Sequence, residues 1–131
     1  MNTEKNYKTD NFNIHTDKKL ACDCGNHGCD KRALKIEHLR RLQLIRDDIG
    51  RPLIVTSGGR CGMHDRERNK ATKGDHYNCD AVDIACDSEL MKTKLLVLAG
   101  RHGATRVAHG AGFVHISWAK TNRTDVPTWD Y

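Results

Sequence analysis

Residues 76–85 read His76-Tyr77-Asn78-Cys79-Asp80-Ala81-Val82-Asp83-Ile84-Ala85, and residues 113–118 read Phe113-Val114-His115-Ile116-Ser117-Trp118. Residues 81–85 alternate and read as a strand. In the second stretch, successive strand side chains point to opposite faces, so His115 is turned away from Val114 and Ile116. His76 and Asp83 flank the start of the first strand. Two imidazoles and one carboxylate make a usual catalytic zinc set, with one coordination position left open. Spacing alone does not separate such a set from ordinary structural histidines.

The rest of the chain is arranged around these two strands. Upstream, Leu53-Ile54-Val55 reads as a short buried strand ending at Thr56-Ser57-Gly58-Gly59-Arg60. Residues 60–79 are polar and nearly free of aliphatics, the mark of a functional or a disordered loop in a compact domain. Before them, Asp30 is the expected N-cap of a helix running to about Asp48. Its apolar set is Leu34, Ile36, Leu39, Leu42, Ile45 and Ile49, with Gly50 and Pro52 as stops. Ser88 is the expected cap of a second helix carrying Leu90, Met91, Leu95, Leu96 and Leu98 and ending near Gly100. Residues 105–108 and 112–118 are two further strands. Residues 1–11 are a polar, flexible arm, residues 12–131 form one domain, and the tail from Lys120 is polar. This order predicts an α+β domain, a small, mainly antiparallel sheet flanked by helices.

Composition narrows the function. The chain has 131 residues, one ordinary domain. Its net charge of +5 favours a polyanionic partner, either nucleic acid or an anionic cell-wall polymer. The two signs are interspersed, so a plain solvated surface fits equally. Aromatics are only 5%, too few for the stacking platforms of a single-strand reader. That turns the expectation away from nucleic acid. No apolar run approaches the roughly 20 residues of a membrane-spanning helix, so no transmembrane segment is expected. No signal peptide is expected at the N-terminus either, which implies cytoplasmic synthesis. A monomer is the expected state.

Six cysteines stand at 22, 24, 29, 61, 79 and 86. Cys22, Cys24 and Cys29, with His27 among them in a glycine-bearing loop, are a candidate second, structural metal site. They lack the common Cys-x-x-Cys knuckle. Reduced thiols or disulfides, for instance Cys61 with Cys79 or Cys86, are the competing readings. His27, His38, His64 and His102 read as surface residues.

Three blocks together resemble a known family. Ser57-Gly58-Gly59-Arg60-Cys61, then His76 with Ala81-Val82-Asp83, then Phe113-Val114-His115 resemble the signatures Ser-Gly-Tyr-Arg, Ser-x-His-x-x-Gly-x-Ala-x-Asp and Phe-Val-His-x-Asp. These belong to the zinc D-alanyl-D-alanine carboxypeptidases and peptidoglycan endopeptidases, whose fold is shared with the hedgehog signalling domain. Leu20-Ala21-Cys22-Asp23-Cys24-Gly25 and Ile49-Gly50-Arg51-Pro52 are also similar, and the likeness runs in order over residues 12–118. The resemblance implies Zn2+ held by His76, Asp83 and His115, with Arg60 facing the substrate.

It further implies cleavage of the stem peptide of bacterial peptidoglycan, with an endopeptidase favoured over a D,D-carboxypeptidase. Small size, basic charge and the expected lack of a signal peptide resemble a phage or prophage endolysin. Such an enzyme is made in the host cytoplasm and acts on the wall in the periplasm or outside. The alternative is a catalytically inactive zinc-binding module of the same fold that binds cell wall or protein.

Four positions depart from the family pattern: Gly59 for Tyr, Gly74 for Ser, Cys79 for Gly and Ser117 for Asp. Some relatives place an acid or a His just before the last ligand, but residues 111–114 hold neither. His109 is the first candidate for the proton shuttle or oxyanion donor, with Asp75 and Asp80 ranked below it.

Overall fold

The computed structural model describes residues 7–17, 19–70, 74–120 and 128–130. Helix α1 spans Ile36–Ile49 and α2 spans Glu89–Arg101. The strands are β1 Val55–Ser57, β2 Ala81–Ala85, β3 Arg106–Gly110, β4 Phe113–Ser117 and β5 Thr128–Asp130. They form one sheet in the order β1-β2-β4-β3-β5. All neighbours are antiparallel except β3 with β5, which run parallel. The α+β class and the mainly antiparallel sheet are therefore as expected. The parallel β5 falls in the tail that read only as polar.

Register sorts the sheet into two faces. Val82 is paired with Ile116 and Ile84 with Val114, while Val107 sits opposite Ile116. These side chains join Leu39, Leu42, Ile45, Leu95 and Ala99 of the helices in one hydrophobic core. The other face carries Asp83 opposite His115, and Ala81 and Arg106 both opposite Ser117. One face thus holds the fold together, and polar side chains occupy the other.

Two helix expectations met different fates. Ser88 does cap α2, its hydroxyl accepting from the Met91 amide at 3.1 Å. Asp30 does not cap α1, which starts at Ile36 after an extended Lys35. The intervening chain pairs with residues 20–22 instead. The Leu34 amide donates to the Leu20 carbonyl and the Cys22 amide to the Arg32 carbonyl, with Ala21 opposite Ala33. Asp30 turns back on its own loop to bind the Arg32 amide and guanidinium. Tertiary pairing overrides the local capping signal here. Gly50, at φ 71°, ends α1 in the left-handed conformation that glycine takes without penalty.

Of the expected N-terminal arm, residues 7–11 are anchored. Tyr7 is buried and donates to the Leu34 carbonyl, and Thr9 and Asn11 bind Gln43 on α1. Residues 1–6 lie outside the described residues. His38 also departs from its surface reading. It is buried, stacks on Trp118 at 5.4 Å, and bonds Asp80 at 2.8 Å. Asp80 takes Lys35 as well, at 2.8 Å, so it ties the start of α1 to the approach to β2.

Candidate metal centre

His76, Asp83 and His115 meet on the polar face of the sheet. All three are buried, and their candidate ligand atoms lie within 4.8 Å of one another. Asp83 Oδ1 lies 3.2 Å from His76 Nε2 and 2.9 Å from His115 Nδ1. The strand register brings Asp83 opposite His115. His76 arrives from the loop, fixed by its own backbone, whose carbonyl accepts from the Arg60 amide at 3.0 Å.

The donor set fits a zinc ion. Bonds of about 2.0–2.1 Å in a tetrahedron place neighbouring ligand atoms roughly 3.3 Å apart. The observed 3.2 and 2.9 Å separations are near that edge. The His76 Nδ1 atom lies 2.8 Å from the Gly58 carbonyl oxygen. A donor there leaves the Nε2 lone pair facing the carboxylate, an arrangement that calls for a cation between them. A carbonyl holding the far nitrogen is the usual support of a metal-bound imidazole.

Electrostatics favour the ligand forms. Burial alone would raise the Asp83 carboxyl, but its contacts with the His115 and His76 imidazoles outweigh it and hold it well below the usual carboxylate range. Burial pushes the His115 imidazole down, and the nearby His76 adds to this, against the opposing pull of Asp83. A neutral imidazole and an ionised carboxylate are the states that bind a metal.

Arg60 lies beside the trio, with its guanidinium engaged. It donates to Ser57 Oγ at 2.9 Å, Glu67 Oε2 at 3.4 Å and Asp83 Oδ2 at 3.4 Å. It therefore steadies the free oxygen of the shared carboxylate. Arg60, His76 and His115 border a cavity of about 510 Å³, whose wall adds Arg66, Glu67, Lys70, Asp75 and Arg106. Asp75 accepts from Ser117 Oγ at 2.7 Å and from Arg106 at 3.3 Å.

His109 is not brought to this site. It sits opposite Val114 on β3, which puts it on the other sheet face from His115, and it is exposed. Asp80 is held by Lys35 and His38, as described above. Of the proton-carrier candidates, only Asp75 borders the cavity. Glu67, with 1% exposure, was missed by the sequence reading, being one acid in a loop of mixed charge. Arg106 was missed as well, at the start of a strand that drew notice only for its apolar residues.

Cys22, Cys24 and Cys29 do come together. The fourth member of their cluster is Cys61; His27 is exposed. All six cysteines are free thiols, so Cys61 is bonded to neither Cys79 nor Cys86.

Two family departures have a structural basis. A side chain at Gly59 would place its Cβ 2.3 Å from the Arg32 carbonyl oxygen, so the family's Tyr has no room. Cys79 adopts φ 64°, where the family's Gly would be unstrained.

The sequence model of the peptidase M15 family matches residues 13–117. The chain belongs to that family, and its class is that of a metallopeptidase. No curated protein matches it.

Proposed function

We propose that the chain is a zinc-dependent peptidase that cuts the stem peptide of bacterial peptidoglycan. The observation that carries this reading is the His76–Asp83–His115 donor set beside a cavity bordered by Arg60, Arg66, Lys70 and Arg106. Four cations against Glu67 and Asp75 suit a peptide bearing free carboxylates. When bound, zinc supplies Lewis-acid activation of a water and of the scissile carbonyl. His76, Asp83 and His115 would hold it. Arg60 orients Asp83, and recognition of the substrate carboxylates falls to Arg66, Lys70 and Arg106.

Proton transfer to the leaving amine needs a group within reach. Asp75, rather than His109, has that role in this reading, since it borders the cavity and is oriented by Ser117 and Arg106. Endopeptidase action is favoured over D,D-carboxypeptidase action by the likeness to single-domain phage enzymes. The same likeness supports a role in phage lysis, acting on the wall as a monomer. No helix among the described residues is long and apolar enough to cross a membrane.

A second reading, a catalytically inactive wall-binding module, is favoured by the lack of any titratable group at residues 111–114. Mass analysis of purified peptidoglycan after incubation separates the readings. New peptide termini inside the stem or cross-bridge mark an endopeptidase. Loss of one terminal alanine marks a carboxypeptidase. Binding to the sacculus with no new product marks the inactive module.

A further inference from the structure

The hydrophobic core contains no residue from 21–33 and none from 56–81 among those described. Yet the second of these stretches builds most of the wall of the candidate active site, and both contain buried groups of their own. Something other than aliphatic packing must hold them. Where they meet, the thiols of Cys22, Cys24, Cys29 and Cys61 lie within 4.8 Å of one another, with Cys22 and Cys61 buried.

We propose that these four cysteines bind a second, structural zinc ion. Four thiolates are a complete ligand set for a closed structural site. Zinc–sulfur bonds of about 2.3 Å in a tetrahedron put the sulfurs roughly 3.8 Å apart. The Cys24 and Cys61 sulfurs are 3.7 Å apart. A disulfide requires about 2.05 Å and would join the sulfurs in pairs rather than in one group of four. The surrounding backbone is shaped for the cluster. Gly25 and Gly28, at φ 72° and 86°, turn the chain between Cys24 and Cys29. Asn26 then clasps the other loop, its amide donating to the Met63 carbonyl at 2.7 Å and to Asp65 at 3.1 Å.

The site also has a consequence for the first one. Cys61 follows Arg60 directly, and the Arg60 amide is bonded to the His76 carbonyl. A metal on Cys61 therefore fixes the segment that aims Arg60 at Asp83. The second zinc takes the part that a hydrophobic core plays elsewhere in the fold, as in small domains where metal binding is itself folding energy.

Metal analysis of protein expressed in zinc-supplemented medium and purified under reducing conditions tests this. Wild type is expected to carry two zinc per chain, and His115→Ala and Cys24→Ser one each. Replacement of zinc by cobalt(II) gives an independent reading that needs no cysteine variant to fold. Wild type and His115→Ala should both show the intense near-ultraviolet charge-transfer band of thiolate-bound cobalt. One zinc in wild type with none in His115→Ala would overturn the proposal. So would cobalt spectra without that band, or an intact mass showing disulfides. None of these readouts depends on peptidase activity, so the two-metal claim stands or falls separately from the proposed reaction.

Discussion

Ser117 Oγ donates to Asp75 Oδ2 at 2.7 Å, across the polar face of the sheet. The family pattern places an aspartate at position 117. Here a serine occupies it, and a carboxylate from the loop stands next to it instead. Arg106, opposite Ser117 in the register, completes the contact at 3.3 Å. A carboxylate thus still borders the cavity here, supplied from another segment.

Asp75→Asn should therefore lower kcat by about 10²–10⁴, the usual weight of a positioned acid or base. Zinc content should stay unchanged. His109→Ala should leave turnover near wild type. Equal losses in the two variants, measured on a soluble stem-peptide substrate, would reassign the proton carrier.

Cys79→Gly should stabilise the protein. The left-handed conformation at φ 64° costs a non-glycine residue roughly 1–2 kcal/mol, part of which glycine returns as lost chain entropy. A net gain of about 0.5–1 kcal/mol is expected, read as a rise of a few degrees in Tm. A lower Tm would mean that the thiol's own contacts outweigh the backbone strain.

Gly59→Ala should destabilise. Its Cβ would fall 2.3 Å from the Arg32 carbonyl oxygen and 2.8 Å from the carbonyl carbon, both backbone atoms that are slow to yield. Overpacking of this kind costs about 1–3 kcal/mol, measurable by urea titration. Gly74→Ser, by contrast, restores the family residue at a point where an added Cβ meets nothing within 4 Å. It should be neutral.

Asp80 sets a pH dependence. Burial alone would raise its carboxyl, but hydrogen bonds from His38 and Lys35 bring it below its ordinary value. A carboxylate depressed on folding contributes stability that is fully present above its unfolded value, about 3.9, and is lost as pH falls through the folded value. Asp80→Asn should cost about 2 kcal/mol at neutral pH, typical for charge-assisted hydrogen bonds. The deficit should shrink as both proteins are taken below pH 4. A constant deficit down to the acid limit would remove Asp80 from the acid response.

Much of the fold was legible because alternation along a strand is local. Residues 81–85 and 112–118 read as strands, and period two turned His115 away from Val114 and Ile116. Ser88 announced its helix. What escaped was decided at long range. Asp30 looked like a cap until residues 20–22 pulled its segment into an extended pairing. His38 looked exposed until Trp118 and Asp80 enclosed it. Three cysteines of the thiol cluster are close in sequence, but Cys61 comes from 32 residues further on and no spacing rule connects it. Glu67 and Arg106 join the cavity wall for the same reason. The family blocks pointed to His76, Asp83 and His115, which the fold brings together; they were silent on which face His109 would take.

The central claim is that His76, Asp83 and His115 hold the metal through which peptidoglycan is cut. Its most direct test is turbidity loss of purified peptidoglycan with zinc-loaded wild type and His115→Ala, alongside their zinc content. The account predicts clearing by wild type, no clearing by the variant, and a difference of one zinc per chain. Clearing by His115→Ala at the wild-type rate, or equal zinc in both proteins, would contradict it.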